Sequence, residues 1–254
     1  MAETWTFEKL APAMEICVSP QHRFGTDAFL LADFASPRRI DRVCDLGTGC
    51  GIIPMLMSRR EPPRQIYGVE IQPQAVEQLR LSLERSGLTR IEPICADLNA
   101  LWPEAPLAAL DLVTCNPPYK APGSGFESGD PAHRIARHEV LCTLEDVCRA
   151  GERLLKFGGR LCLCNRPERL ADTVFAMKAC GIEPKRLRFV SKTPKDAPWL
   201  FLMEGKKGGK PFMRVLPQLY VYTDQGEFTG EMLQIYGKLP EEAALKGELK
   251  GYGG

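Results

Sequence analysis

The most chemically pointed stretch of this 254-residue chain is Asn116-Pro117-Pro118-Tyr119. Two consecutive prolines fix φ and remove two N–H donors, so the backbone is stiff and offers bare carbonyl oxygens. The Asn116 side chain adds another carbonyl acceptor, the Pro117 carbonyl a second, and Tyr119 a flat face. An exocyclic amine on an aromatic base needs this combination. Its lone pair is delocalised into the ring, which makes it a poor nucleophile. Two acceptors on its hydrogens draw the nitrogen toward tetrahedral geometry and free the lone pair for attack on a methyl sulfonium. A stacked aromatic adds about 1–3 kcal/mol of base binding. Rate then comes from positioning and electrostatic preorganisation, without a strong general base. Standing alone, the quartet reads better as a Pro-Pro turn that closes a strand with Tyr119 packed on it.

The elements around it narrow that choice. Leu110-Asp-Leu-Val-Thr-Cys115 is nearly all apolar, as a central parallel strand should be, and it runs directly into Asn116. Upstream, Arg42 to Leu46 reads as a strand, followed by a turn with glycines at 47, 49 and 51 and then a helix. A strand, a glycine turn and a helix N-terminus form a nucleotide-type cofactor site at the carboxyl edge of a parallel sheet. The run is Asp45-x-Gly47-x-Gly49-x-Gly51, which differs from the G-x-G-x-x-G dinucleotide spacing. Gln65 to Glu70 reads as the next strand. Glu70, 19 residues beyond Gly51, is placed to accept hydrogen bonds from ribose hydroxyls. Pro73 opens a helix that Gly87 stops. Ile91 to Cys95 is a third strand, with Asp97 after it as an adenine acceptor or an N-cap. Thr26 or Asp27 caps a largely buried helix ending before Pro37, and its N-terminus is a candidate for the cofactor rim. Ile71 and Leu98 flank the two acids and belong to the same expected cofactor set, as does Asn116 from the other side.

Composition sets the bounds. With 44% hydrophobic and 26% charged residues the chain has ordinary globular composition. No stretch approaches the roughly 20 apolar residues of a membrane helix, and no signal peptide is visible at Met1 to Lys9. Ten cysteines are scattered with no C-x-x-C, which favours a reduced, cytoplasmic protein without structural zinc. Cys162 and Cys164 share one face of a strand, where packing explains them better than metal binding. Net charge is +1 but uneven: residues 1–148 carry 14 Lys/Arg against 20 Asp/Glu, residues 149–254 carry 19 against 12. Nine of the basic residues fall within Lys185–Arg214, including Lys206, Lys207 and Lys210 in a glycine-rich loop. An acidic front and a basic back suggest a polyanion contact in one region, or a solvated face that balances charge.

The D-x-G-x-G-x-G run and N-P-P-Y resemble motifs I and IV of class I S-adenosylmethionine-dependent methyltransferases acting on planar nitrogen. With Arg-Phe-Gly-Thr-Asp-Ala (23–28), Arg-Pro-Glu-Arg-Leu (166–170), Glu-Pro-Lys-Arg-Leu-Arg-Phe-Val (183–190), Glu-Gly-Lys-Lys-Gly-Gly-Lys-Pro (204–211) and Leu-Tyr-Val-Tyr (219–222), residues 15–236 resemble the bacterial tRNA1(Val) adenine-37 N6-methyltransferase family. The resemblance implies a Rossmann-like α/β fold: a mostly parallel seven-stranded sheet with an antiparallel last strand. It implies S-adenosylmethionine as cofactor and tRNA as partner, with Asn116 and Pro117 holding the target amine, Tyr119 stacking, and Glu70 and Asp97 holding ribose and adenine. The expected layout is a methyltransferase domain over 1–204 and a C-terminal appendage over 205–254 whose lysines touch RNA. No metal and no membrane enter this reading. A protein-glutamine methyltransferase shares N-P-P-Y but usually carries a helical N-terminal domain, and only about 40 residues precede the glycine run. A DNA adenine methyltransferase needs a target-recognition domain. A non-catalytic RNA-binding protein would keep the pocket without the intact Asn116 to Tyr119.

Overall fold

The computed structural model describes residues 5–59, 61–117 and 142–237. A hairpin of β1 (Thr6–Ala11) and β2 (Met14–Val18) precedes α1 (Thr26–Ala35), β3 (Arg42–Leu46) and α2 (Ile52–Met57). Then come β4 (Gln65–Glu70), α3 (Pro73–Ser86), β5 (Ile91–Cys95) and β6 (Leu110–Cys115). The later elements are α4 (Leu144–Leu154), β7 (Leu155–Asn165), α5 (Leu170–Ala179), β8 (Ile182–Ser191), β9 (Leu200–Lys207), β10 (Arg214–Val215), β11 (Leu219–Tyr220) and α6 (Gly230–Tyr236).

Strands β3 to β11 form one sheet in the order β10-β8-β9-β7-β6-β3-β4-β5, with β11 also on β8. β9 is antiparallel to both β7 and β8, and the other pairs in this sheet are parallel. The expected seven strands with one antiparallel are therefore present, and two short ones extend the β8 edge. Central strands are buried on both faces, which is why they read as continuous apolar runs. Val43, Ile66, Leu112 and Cys164 pack on one face with α1 and α2, while Leu46, Val113, Leu163 and Phe201 pack on the other with α4.

The expected boundary at residue 204 falls inside β9. Residues beyond it join the sheet through β10 and β11, and α6 places Met232 and Ile235 in the same core as α1. Among the described residues, 205–237 are continuous with the domain.

Several local expectations shift in the structure. The N-cap of α1 is Gly25, not Thr26 or Asp27, and no side chain caps it. The C-terminus of α1 has no basic residue of its own and borrows two from the sheet. Arg160 Nη1 donates to the Ala35 carbonyl at 3.0 Å, and Arg186 Nη2 to the Phe34 carbonyl at 3.0 Å. Both guanidinium groups also donate to Glu204, at 2.9 and 2.7 Å. On α5, Thr173, Ala176 and Met177 form the buried stripe and Phe175 is exposed. The β1–β2 hairpin has no counterpart in the sequence pattern. It is held from α3, where Ser82 and Ser86 accept from the Cys17 and Glu15 amides at 2.8 and 3.0 Å.

Candidate functional site

The glycine turn joins β3 to α2 at the carboxyl edge of the sheet. Gly47, Gly49 and Gly51 all have positive φ, at 67°, 56° and 86°, a region side chains disfavour. They serve two purposes. A Cβ on Gly51 would meet Leu79 Cδ1 at 2.2 Å, so this glycine lets α3 pack against the turn. A Cβ on Gly47 or Gly49 would meet no protein atom within 4 Å, so those two line open space.

Glu70 ends β4 and folds back onto that turn. Its Oε2 accepts from the Gly49 amide and its Oε1 from the Gln72 amide, both at 3.0 Å. The carboxylate is thus fixed by two backbone donors, and each oxygen keeps further acceptor capacity. Ile71 beside it is 45% exposed, an apolar surface at the rim. Asp97 is exposed after β5 and its Oδ1 takes the Asn99 amide at 2.8 Å, so the expected N-cap role is realised while a second oxygen is left over. Leu98 is half-buried next to it. A residue that the sequence pattern does not flag, His22, reaches this rim: its Nε2 lies 3.0 Å from Gln72 Oε1. Thr26, at the start of α1, shares a 3.0 Å hydrogen bond with the Tyr236 hydroxyl, which ties the rim to the end of α6. Asp27 Oδ1 accepts from the Ala28 amide at 3.1 Å.

Asp45 is fully buried in β3. It pairs in register with Thr114 of β6, whose hydroxyl donates to Asp45 Oδ1 at 2.6 Å. Among the described residues, Asp45 Oδ2 and the Thr48 hydroxyl are buried without a hydrogen-bond partner. Burial pushes the Asp45 carboxyl up to about 7. The Thr114 and Thr48 hydroxyls oppose the shift, Thr48 standing near but outside hydrogen-bonding geometry, and the Glu70 charge adds to it. A group whose folded pKa exceeds its unfolded value contributes stability that is complete below about pH 4 and is lost as pH rises through about 7. Asp45→Asn keeps the Thr114 acceptor and removes the titration. Thermal melts from pH 5 to 8 should therefore show wild type losing ground to Asp45→Asn as pH rises; a constant offset would mean Asp45 does not titrate there.

Asn116 and Pro117 follow β6 directly, one strand from the glycine turn, since Leu46 is registered with Cys115. Asn116 is half-buried and Pro117 buried. Tyr119, like Pro118 and the loop beyond it, lies outside the described residues. The three loop lysines sit elsewhere. β9 runs against β7, so Lys206 lies opposite Arg160 and level with Leu112, four residues below Asn116. That separation is about 13 Å along the strands, and Lys207 and Lys210 continue toward the amino edge. Lys207 is committed to structure: its Nζ donates to the Glu152 and Leu155 carbonyls at 2.6 and 3.0 Å and pairs with the Glu152 carboxylate at 2.8 Å. Other members of the basic run are also tied inward. Lys185 donates to the carbonyls of residues 210, 211 and 212, and Arg188 makes a bidentate pair with Glu231.

The methyltransferase small domain family model matches residues 23–174, from the loop before α1 into α5. A tRNA1(Val) (adenine(37)-N6)-methyltransferase of Porphyromonas gingivalis is 33% identical over 190 residues, 72% of this chain and 73% of the relative. One of Histophilus somni is 25% identical over 234 residues, 90% and 93% of the two chains. The chain belongs to this family. Solved structures agree on the fold. A protein described as a predicted O-methyltransferase from Agrobacterium tumefaciens superposes with a TM-score of 0.67 at 23% identity, covering 84% of this chain and 96% of that one. The M. jannaschii TYW2 structure with AdoMet gives 0.55 at 16% identity, covering 81% and 87%.

The cofactor of the family is S-adenosylmethionine. The residues present suit it. Gly47 and Gly49 face open space, Glu70 stands beside the turn with acceptor capacity, and buried polar atoms of Asp45 and Thr48 lack partners among the described residues. Among the described residues, no helix is long and apolar enough to cross a membrane.

Proposed function

We propose that this methyltransferase acts on the exocyclic N6 amine of an adenine in tRNA, in its most specific form adenine 37 of a tRNA(Val) anticodon loop. The observation that carries the reading is the position of Asn116-Pro117 at the carboxyl end of β6, beside the strand that leads into the glycine turn. The relatives named for adenine-37 methylation support the substrate class.

In this mechanism S-adenosylmethionine supplies an electrophilic methyl group. The glycine turn and Glu70 would hold its ribose side, and Asp97 with Ile71 and Leu98 would hold its adenine. Asn116 Oδ1 and the Pro117 carbonyl accept the two hydrogens of the target amine and orient its lone pair, and Tyr119 stacks on the base. Transfer of the methyl group would break its bond to the sulfonium sulfur, leave a neutral thioether as leaving group and shift the positive charge to the amine nitrogen, which strengthens the hydrogen bonds accepted by Asn116 Oδ1 and the Pro117 carbonyl. The methylated nitrogen would then lose one proton to solvent water, restoring the neutral amine. The target base must leave its stack to enter the pocket, which costs least in a loop.

The RNA reaches Asn116 across the carboxyl edge, so its phosphates fall to cations there. Lys192 and Lys195 occupy the β8–β9 turn on that edge, both exposed, with Lys195 only 3.5 Å from Asp224 as an ion-pair partner. Replacing both by Glu should weaken tRNA binding and flatten the slope of log K against log salt by about 1.4, given roughly 0.7 per lost phosphate contact on single strands. Lys206→Glu with Lys210→Glu should leave the slope unchanged. The reverse pattern would move the RNA surface to the amino edge.

The direct experiment supplies labelled S-adenosylmethionine with total RNA, release factor and DNA, and locates the methyl group by mass spectrometry. N6-methyladenine in tRNA is the expected product. Label on a glutamine amide would replace the RNA substrate with a protein. No label on any of the three would leave a binding role for the chain.

A further inference from the structure

Three neighbouring strands enter the sheet at its amino edge, and an arginine stands at each entrance. Arg39 and Ile40 precede β3, Arg64 immediately precedes β4, and Arg90 immediately precedes β5. Parallel pairing of β3, β4 and β5 sets these loops side by side. The Arg64 amide donates to the Asp41 carbonyl at 3.0 Å, and the Ile66 amide to the Arg90 carbonyl at 2.8 Å. With about 4.8 Å between strands, the three arginines spring from a stretch of backbone roughly 10 Å wide. Together with Ile40 they line an open cavity of about 550 Å³.

The charge there is uncompensated. Among the described residues none of the three guanidinium groups pairs with a carboxylate, whereas the adjacent Arg38 pairs with Asp41 at 2.9 Å. Arg90 Nη1 donates to the Pro62 carbonyl at 3.3 Å, which turns it toward the Arg64 loop and leaves its other donors. Three like charges within about one Debye length repel one another. All three side chains are exposed, so burial does not account for them. Ile40 stands 71% exposed among them, an apolar face inside a charged ring. We infer that this cavity is a second ligand site, built for closely spaced phosphate groups, with Ile40 as the seat for an attached base. Guanidinium groups match phosphate oxygens in bidentate geometry, and three together suit a ligand with more than one phosphate charge. β4 runs six residues from this edge to Glu70, about 20 Å, so the site lies apart from the methyl-transfer centre. The same chemistry has two sources: a free nucleoside polyphosphate, or backbone phosphates of an RNA that extends past the carboxyl edge.

The test uses the full-length protein with its cofactor pocket saturated by S-adenosylhomocysteine. Calorimetric titrations with inorganic pyrophosphate, ATP and sulfate compare wild type with a triple variant carrying Arg39→Gln, Arg64→Gln and Arg90→Gln. Wild type should bind pyrophosphate at least tenfold more tightly than sulfate, and the triple variant should lose that advantage. Its melting temperature without ligand should be no lower than that of wild type, because only repulsion is removed. ATP should bind more tightly than pyrophosphate, and Ile40→Ser should erase that difference while leaving pyrophosphate affinity unchanged. Equal wild-type affinity for the two would overturn the part given to Ile40. Titrations with tRNA separate the sources. A slope of log K against log salt flatter by about 2 in the triple variant, three contacts at roughly 0.7 each, assigns the site to RNA phosphates. An unchanged slope with lost pyrophosphate binding assigns it to a free ligand, and either result upholds the phosphate site. Unchanged pyrophosphate affinity together with an unchanged tRNA slope would overturn it and leave a solvated basic face.

Discussion

Asn116→Ala should lower kcat for methyl transfer by about 10²–10³-fold, the loss typical of removing one preorganised hydrogen-bonding group aimed at developing charge. Cofactor Kd should change by less than about threefold, because the glycine turn and Glu70 make their own contacts on the neighbouring strands. The split matters more than the size of the loss. Glu70 is held by the Gly49 and Gln72 amides and Asp45 by Thr114, and none of these bonds involves the Asn116 side chain. The cofactor side of the site therefore survives the substitution while the acceptor side does not. Single-turnover rates with saturating RNA, alongside calorimetric titration of S-adenosylmethionine, measure the two separately. Retained turnover would take the amine-holding role away from Asn116, and lost cofactor binding would make it a cofactor ligand first.

The parts of this site that could be read from the sequence are those set by local chemistry. Three glycines two residues apart after an apolar strand need positive φ, and the structure has it at all three. Glu70 ends β4 and Asp97 follows β5, so their placement at the carboxyl edge follows from strand direction alone. What could not be read depends on neighbours far along the chain. Lys206, Lys207 and Lys210 look like a nucleic-acid loop by composition, yet β9 runs antiparallel and carries them away from Asn116. Lys207 is then absorbed by the carbonyls of Glu152, in the last turn of α4, and Leu155, at the start of β7. Cys164 has the pattern of a small core residue, and only the β6–β7 register brings its thiol to Asn116. His22 meets Gln72 because the β1–β2 hairpin is clipped to α3 by two serines, a tertiary contact with no periodic signature.

The basic run has a second use that the same logic exposes, and it carries the largest stability prediction. Glu204 is buried beneath Arg160 and Arg186, and each guanidinium also caps a terminal carbonyl of α1. Glu204→Ala removes the anion and leaves two half-buried cations. Breaking a buried pair this way costs about 3–5 kcal/mol, and the low end applies here because the Asp41 carboxylate is a further partner for Arg160. Asp41 Oδ2 lies 3.6 Å from Arg160. A loss of about 3 kcal/mol corresponds to a fall in Tm of roughly 6–12 °C for a domain of this size. The pH dependence has a defined sign. Burial alone would raise the Glu204 carboxyl, but Arg186 and Arg160 outweigh it and hold the group below its ordinary value. Its contribution is therefore present above the unfolded carboxyl pKa near 4.5 and disappears as pH falls through the lower folded value. Melts at pH 7 should show the full Glu204→Ala deficit, and melts carried below pH 4 should show it shrinking. A deficit that is flat with pH would assign the loss to packing and not to charge. α1 ends on this ion cluster and begins with Thr26 and Asp27, which the proposed site places at the cofactor rim, so on that reading the variant should also weaken S-adenosylmethionine binding by a few-fold, through the helix and not through any direct contact.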